Sequence, residues 1–465
     1  MAKCGNADKL WGMGGGVKVR NKNLNALVWP VFIELLMQFL VGNVDQMMIA
    51  SFQQEAVGAL SNANQIMSVM LLTFNMVSMA TTILVSQYRG AGDEKGLETI
   101  YTLSCALNLG LGVAASVLIG VFDDRLFELM DVPLAFRPGA KEYLHIVGGA
   151  CVVQSLFSVF LAILRSNQMM KSGMKVSLLI NVINVAGNAV LLHGYGPFPA
   201  LGIRGVAIAT VFSQTVGLLF VICVFYKKVG GRIHLAHLIP FPGRLLWQLV
   251  RIGIPAGGES FSYDMTQLVL LRFINGFGAD SILAKSYCST ISSFSVLYCI
   301  AISEVLQIIV GYHVGAKEYD QADLMVKRVV RSSLMVTVPL TAAVCVWIKP
   351  ILTLFHASQP VVKLCQSVMM IEILRQSGRG FNMVYLRALQ GAGDVRYTIG
   401  IGILSMWVLV VGGGYMLGCA LGWGLCGVWL AKALDELIRG CIFRSRWASD
   451  VWKKLSVVQS DPKRV

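Results

Sequence analysis

The sequence has few charged residues for its length. Only 14% of its 465 residues are Asp, Glu, Lys or Arg, whereas 55% are hydrophobic, and a soluble domain carries about a quarter charged residues. It also contains no nucleotide-binding P-loop, no CxxC pair and no Ser/His/Asp or Cys/His set. These absences argue against a soluble protein, an ATP-driven pump and a disulfide or zinc framework. They predict no enzymatic activity and no resident cofactor.

Long hydrophobic runs, in contrast, are abundant. A helix needs roughly 20 apolar residues to cross the hydrocarbon core of a membrane, and the chain contains twelve such runs. They cover approximately 26–50, 60–86, 98–121, 143–164, 174–193, 203–225, 247–274, 284–311, 330–348, 364–386, 397–417 and 424–443. The sequence therefore predicts an all-α, multi-pass membrane protein with twelve transmembrane helices and no cleaved signal peptide.

The net charge of +14 is distributed unevenly. Basic residues are concentrated at the two termini and in alternate loops, beginning with Arg89 and Lys95. The opposite loops hold only Arg125, Arg137, Lys141, Arg204, Lys285, Lys349 and Lys363. Cytoplasmic loops carry such an excess of Lys and Arg. We therefore predict an inner (plasma) membrane protein with both termini in the cytoplasm, whose basic tail contacts anionic lipid and not nucleic acid.

The two halves of the chain repeat each other. Pro30 and Glu34 recur 225 residues later as Pro255 and Glu259, and the same shift relates Gly90 to Gly315. Each half has six spans, so both halves enter the membrane from the same side, and the predicted pseudo-twofold axis runs along the membrane normal. The predicted organisation is an N-terminal segment 1–23, an N-lobe 24–226, a cytoplasmic linker 227–246, a C-lobe 247–443 and a basic tail 444–465.

Several segments in this order resemble the multidrug and toxic compound extrusion (MATE) family. They are VSQYRGAGDEKG (85–96), LGIRGVAIATVFSQ (201–214), GYHVGAKEYDQA (311–322), YLRALQGAGD (385–394) and GVWLAKALDELIRG (427–440). The resemblance implies a two-lobe antiporter, expected to be a monomer. It would export small organic compounds, often cationic or amphipathic, in exchange for protons or sodium. Lipid-linked saccharide flippases share this architecture and are the alternative. The duplication disfavours a third class, a membrane-embedded enzyme or receptor.

Charged residues inside the spans are the candidates for function, because a charge at mid-membrane costs about 2.5–3.5 kcal/mol or more. Asp45 lies roughly 20 Å along the first helix from Pro30, with no Lys or Arg near it in sequence. A lone carboxylate in that environment resists ionisation and can carry a proton or form part of a sodium site. A structural hydrogen bond between helices is the alternative.

Asn184 and Asn188 share one face of the fifth span, and Thr210 lies in the sixth. With Asp45 they offer the oxygen ligands that hard cations prefer, although Asn and Thr also join membrane helices structurally. The MATE resemblance implies that Asp45, Asn184 and Thr210 occupy cation-coupling positions, with sodium as one candidate. At Asn188 this sequence departs from family members that have Asp, which weakens the case for sodium and also for a proton site built from two carboxylates.

The second half contains further charges. They are Glu259 in the seventh span, Glu304 in the eighth, and Glu372, Arg375 and Arg379 in the tenth. Glu372 and Arg375 are spaced to pair, and Arg379 is predicted to reach Glu304 or Glu259. This set is either a structural network, since buried ions persist only when paired, or a gated network or second cation or substrate site.

Other charged positions also lie within the predicted spans. Glu34, the counterpart of Glu259, is predicted to be an entrance carboxylate near the cytoplasm. Lys432 lies near Asp435 in the twelfth span, and an Asp435–Arg439 ion pair is expected at its cytoplasmic end.

Overall fold

A computed structural model describes residues 24–52, 54–194, 199–354, 357–456 and 458. The predicted N-terminal segment 1–23 and most of 457–465 lie outside the described residues. Within the described ranges the chain is helical and contains no β-strand. The α-helices there are α1 Leu24–Phe52, α2 Gln54–Ala91, α3 Glu94–Leu129, α4 Arg137–Gly149, α5 Cys151–Ser166, α6 Met170–His193, α7 Ile203–Val224, α8 Gly243–Asn275, α9 Ala279–Gly315, α10 Tyr319–Leu354, α11 Gln359–Ala392, α12 Val395–Ser405 and α13 Gly424–Ala448.

The helices reproduce the twelve predicted spans. The fourth span consists of α4 and α5, which meet at Ala150 with a bend of 51°. The sixth continues from α7 into the π-helical turn Phe225–Val229, and the eleventh continues from α12 through two π-helical segments, Met406–Gly412 and Tyr415–Ala420. The linker between the halves contains the short 3₁₀ helix Leu235–Leu238. All-α architecture with twelve spans is therefore confirmed.

Three of the twelve spans are less apolar than the others. Among the described residues, eight helices are long and apolar enough to cross a membrane, and the bent pair α4–α5 makes a ninth. The remaining three are α8, α11 and α13, which carry Glu259, Glu372 and Glu436 among their charges. These three helices belong to the second lobe, so the polar interior is concentrated there.

Each lobe packs around its own apolar interior. In the first lobe α1 packs against α6, α6 against α7, and α3 against α5, while in the second lobe α11 packs against both α9 and α13. The first turns of α1 are an exception. Leu24, Leu27 and Val28 are buried together with residues of α9, α10 and α11, in the core of the opposite lobe. In the same way, Leu249 of α8 and Val395 of α12 are buried in the core of the first lobe. The beginnings of α1, α8 and α12 thus tie the two lobes together.

A self-complementary glycine contact joins the lobes at that same end. A Cβ on Gly90 of α2 would lie 2.0 Å from the Tyr312 carbonyl oxygen of α9, and a Cβ on Gly315 would lie 1.9 Å from the Gln87 carbonyl oxygen. Gly90 and Gly315 are 225 residues apart, as are Gln87 and Tyr312, so these two contacts are related by the pseudo-twofold axis. Gln87 also donates a hydrogen bond to the Gly391 carbonyl oxygen at 2.8 Å.

The remaining contacts between the lobes extend to about the middle of the helices. Phe39 of α1 packs edge-on against Phe294 of α9, with ring centroids 4.7 Å apart. Gly253 and Gly257 of α8 face Met76 of α2. The lobes are therefore in contact over the half of the molecule that the basic-residue bias predicts to be cytoplasmic. The cleft between them opens on the opposite side.

Candidate functional site

The predicted coupling residues form one hydrogen-bonded chain in the first lobe. Asn188 donates through Nδ2 to Asp45 Oδ1 at 3.0 Å and to Asn184 Oδ1 at 3.3 Å. Asn184 donates in turn to the Thr210 hydroxyl at 3.2 Å, and that hydroxyl donates to the Val206 carbonyl oxygen at 2.9 Å. The i, i+4 spacing on α6 brings both amides to α1, as the sequence suggests. The structure thus assembles all four residues from three helices.

Asp45 lies on the open side of the interlobe contacts. It is about 9 Å beyond Phe39 along the axis of α1. Its side chain is half-buried. In the part of the chain that the structure describes, no Lys, Arg or His forms an ion pair with Asp45. The half-buried carboxylate therefore has amide and hydroxyl neighbours instead of a counter-ion.

The chain of polar groups retains unused hydrogen-bonding capacity. The Asn188 side-chain oxygen is buried and has no hydrogen-bond partner among the described residues. Tyr143 of α4 is buried beside this chain, within hydrogen-bonding reach of Thr210. Within the described residues, no group of three or more His, Cys, Asp or Glu side chains is arranged to hold a metal ion. A cation here would thus be held by one carboxylate together with amide and hydroxyl oxygens.

Glu34 is not an entrance carboxylate, and that prediction is wrong. Its side chain is almost fully buried, at 2% exposure, and it accepts hydrogen bonds from the Ser177 hydroxyl and from Arg165 Nη2, the latter at 2.8 Å. Arg165 also lies 3.6 Å from Glu304 of α9. The guanidinium neutralises Glu34 within the first lobe and reaches the second. This is why a carboxylate can be buried there.

The predicted Glu372–Arg375 pair is present in the second lobe. Glu372 is fully buried and accepts hydrogen bonds from Arg375 at 2.7 Å, Gln376 at 2.8 Å and the Trp429 indole at 2.9 Å. Three donors compensate its desolvation, as a buried carboxylate requires. Glu372 links two turns of α11 to α13.

Arg379 pairs with neither Glu304 nor Glu259, contrary to the prediction. Its Nε donates to Glu436 of α13 at 3.1 Å, and Glu436 accepts a second hydrogen bond from Asn382 at 2.7 Å. The reason is packing, because α11 lies against α13 along its length and places Arg379 opposite Glu436. The expected Asp435–Arg439 pair is present at 2.5 Å.

Lys432 and Glu259 are positioned differently from these paired charges. The Lys432 ammonium donates to Gln267 at 3.2 Å and lies 5.1 Å from the Trp429 ring centroid. Within the described residues it forms no ion pair, not even with nearby Asp435. Glu259 lies close to Arg387 and Arg439. The second lobe thus holds a network of paired charges and, apart from these pairs, the Lys432 ammonium, which is stabilised by the face of the Trp429 ring.

Several participants in these clusters were not predicted from the sequence. Glu436, Gln376 and Trp429 complete the second-lobe network, Tyr143 flanks Thr210, and Arg165 bridges the lobes. A signal existed for Glu436, since three arginines in the tenth and twelfth spans require nearby carboxylates. None distinguished Arg165 from an ordinary basic residue at a helix end.

Comparisons with known proteins agree with this architecture. The MatE family model matches the chain twice, over residues 30–190 and 255–416, and the two matches begin 225 residues apart, at Pro30 and Pro255. The uncharacterized transporter YisQ of Bacillus subtilis is 30% identical over 92% of this chain and 94% of its own length. NorM of Thermotoga maritima, described as a probable multidrug resistance protein, is 22% identical over 94% of each chain.

The fold is also that of solved structures. A multidrug resistance MATE family transporter of the MOP superfamily, in an outward-facing conformation, superposes with a TM-score of 0.84 over 93% of this chain and 96% of that one, at 18% identity. That structure has the same arrangement of helices. The duplicated family match, the full-length relatives and the shared two-lobe fold establish that this chain belongs to the MATE family of membrane transporters.

Proposed function

We propose that this transporter is a cation-coupled antiporter that exports organic compounds, cationic or amphipathic, from the cytoplasm by alternating access. The proposal includes a plasma-membrane location with both termini inside. The observation that carries it is the position of Asp45. This carboxylate is half-buried beyond the interlobe contacts, has no counter-ion among the described residues, and is hydrogen-bonded to Asn188 at 3.0 Å.

Coupling follows from the hydrogen-bond chain that ends at Asp45. As a carboxylate, Asp45 accepts from Asn188 and can attract a cationic substrate. When a cation arrives from the open side, it neutralises Asp45 and competes with that hydrogen bond, which changes how α1 is held against α6. The ion and the substrate then favour different states of the transporter. A difference of a few kcal/mol between their preferences suffices to couple them.

The donor set favours a proton over sodium as the coupling ion. A proton needs only the Asp45 carboxylate, whereas sodium needs several oxygen ligands at once. The Asn188 oxygen has no partner, and the Asn184 and Thr210 oxygens each keep a lone pair although they are hydrogen-bonded. Asp45 is the only carboxylate of this hydrogen-bonded chain, so a sodium ion would be held by one negative charge and otherwise neutral oxygens.

Transport in liposomes tests this proposal. The purified protein is reconstituted, and movement of ethidium, an organic cation, is followed under an imposed pH gradient and, separately, under a sodium gradient. Wild type should move the dye under the gradient of its coupling ion. Asp45→Asn keeps the side-chain shape but removes the ionisable group, so its gradient-driven transport should fall to that of protein-free liposomes.

Asp264→Asn is the matched control. Asp264 is an exposed acid on α8, and the substitution makes the same chemical change outside the hydrogen-bonded chain. This variant should retain gradient-driven transport. Wild-type transport rates in Asp45→Asn, together with an unchanged elution profile, would remove Asp45 from the coupling mechanism.

A second candidate, a flippase for lipid-linked saccharides, is favoured by one observation. Lys432 is a cation without an ion-pair partner in the described part of the second lobe, and it rests on Trp429. A phosphate-bearing lipid with a sugar headgroup could use a cation and an aromatic face. The same liposomes, containing a fluorescent polyprenyl-phosphate saccharide, distinguish the two candidates by which compound crosses.

A further inference from the structure

A basic cavity lies away from both clusters described above, where α8 and α12 begin and α13 ends. Its volume is about 480 Å³, which is in the range of small-molecule sites. Its basic lining residues are Arg244, Arg251, Arg396, Arg446 and Lys454. Among the described residues, Asp394 is the only acidic residue of the lining, so basic side chains outnumber acidic ones five to one.

Packing holds part of this lining in place. Arg446 donates to Asp394 at 2.7 Å, and its guanidinium carbon lies 4.3 Å from the Tyr397 ring centroid. The segment that follows α13 is anchored by Trp452, which is fully buried and stacks on Trp447 with ring centroids 4.0 Å apart. That anchor places Lys454 in the lining. The cavity is therefore built by three separate segments of the chain.

The charge of the cavity selects an anion. Asp394 is already engaged by Arg446, so the described lining keeps an excess of positive charge. Gly393 to Arg396 also line the cavity, and α12 begins among them, so the positive end of the helix dipole adds to the potential. Several guanidinium groups around one space match the oxygens of a phosphate monoester or diester.

The surroundings of the cavity point to a lipid as the source of that phosphate. Beside Arg244 and Arg251 on α8, Trp247 is 61% exposed and Ile254 is 65% exposed. Exposed Trp residues are typical of the membrane–water interface, and basic pockets on the cytoplasmic side of membrane proteins bind lipid headgroups. We propose that this cavity binds the phosphate headgroup of an anionic phospholipid of the inner leaflet.

Lipid binding to the full-length protein in neutral detergent tests the proposal. Native mass spectrometry follows titration with phosphatidylglycerol and, separately, with phosphatidylcholine. Wild type should bind one phosphatidylglycerol in preference to phosphatidylcholine. The triple variant Arg244→Gln, Arg251→Gln, Arg396→Gln should bind it about a hundredfold more weakly, at roughly fivefold per cation removed.

A second triple variant removes the same charge elsewhere. Lys227, Lys228 and Arg328 are exposed on the same predicted side but do not line the cavity, so Lys227→Gln, Lys228→Gln, Arg328→Gln should leave the affinity within a few-fold of wild type. Equal losses in both triple variants would overturn the proposal in favour of diffuse attraction. So would equal binding of the two lipids by wild type, a test that needs no variant to fold.

A third arm separates lipid from soluble phosphate. Inorganic phosphate and pyrophosphate are added to wild type with and without phosphatidylglycerol, at constant ionic strength. The proposal expects lipid to remain bound. Complete displacement of lipid by either soluble anion would identify the cavity as a site for soluble phosphate compounds and overturn the lipid assignment.

Discussion

The glycine contact between α2 and α9 makes a quantitative prediction about the conformational equilibrium. In Gly90→Ala the new Cβ would lie 2.0 Å from the Tyr312 carbonyl oxygen, against 3.4 Å for an ordinary contact. The helices must therefore separate there by about 1.4 Å. Neither atom belongs to a flexible side-chain end, so rotation of a side chain cannot relieve the clash. The state with the lobes joined at this end is penalised, and the state with this end open is not.

The size of the effect follows from the cost of overpacking. Inserting one carbon into a close-packed contact costs about 1–3 kcal/mol, which changes a two-state ratio by roughly 5- to 150-fold. By the pseudo-twofold relation, Gly315→Ala meets the Gln87 carbonyl oxygen at 1.9 Å and should shift the equilibrium in the same direction. Gly110→Ala is the matched control, because nothing lies within 4 Å of its Cβ position.

Distances between spin labels on the open side measure the shift. The labels are attached at Met47 of α1 and Ile282 of α9, which are both exposed. In the protein used for labelling, the exposed cysteines Cys223 and Cys441 are replaced by Ser, and so is Cys4. Wild type and Gly110→Ala should give mainly the longer of two distances between the labels, which belongs to the state described here. Gly90→Ala and Gly315→Ala should give a larger population at the shorter distance. Unchanged distributions in both test variants, or opposite shifts between them, would refute the two-state reasoning and the role of the symmetric contact.

Two further predictions concern the charge clusters. Glu372→Gln leaves Arg375 without its carboxylate inside the second lobe, so the free energy of unfolding should fall by about 3–5 kcal/mol. Thermal unfolding should show a clear decrease in Tm for this variant, whereas Glu128→Gln, at an exposed position, should melt like wild type. Equal Tm values for all three proteins would contradict a buried ion pair. Asn188→Asp places a second carboxylate where the amide now donates a hydrogen bond to Asp45 at 3.0 Å, and two adjacent carboxylates favour a shared cation. Binding of ²²Na⁺ should therefore become measurably tighter than in wild type. An unchanged affinity would show that these side chains do not form a common site.

The fold was predictable because its signals are local and repeated. Each span is a continuous apolar run, and the 225-residue shift reveals the duplication without any knowledge of packing. The break at Ala150 within the fourth span was not predicted because the apolar pattern continues through it, although Gly148 and Gly149 directly precede it. The helix ends extend beyond the predicted bounds, as in α9, which covers Ala279–Gly315 instead of 284–311. Helices can extend past the hydrocarbon, where composition no longer constrains them.

The two sites differ in how far the sequence defines them. Asn184 and Asn188 lie on one face of a helix by spacing alone, which is why the chain to Asp45 could be anticipated. The partner of Arg379 depends on which helices are neighbours and on the depth at which they cross. The hydropathy profile of the sequence predicts neither of these. The prediction chose Glu304 or Glu259, while the structure places Glu436 opposite it. Similarly, Glu34 looked solvent-exposed because its partner Arg165 is distant in sequence.

The unequal ion pairs of Arg165 have an energetic consequence for lobe separation. Its contact with Glu34 is short, at 2.8 Å, and nearly dry, whereas that with Glu304 is longer, at 3.6 Å, and Glu304 remains 29% exposed. When the lobes part, Arg165 can keep Glu34, the acid whose buried charge most needs a partner, and the acid that loses its partner is the more exposed Glu304. No charge is stranded in a dry interior on either side. The ion pair can thus favour correct docking of the lobes while adding little to the barrier for their release.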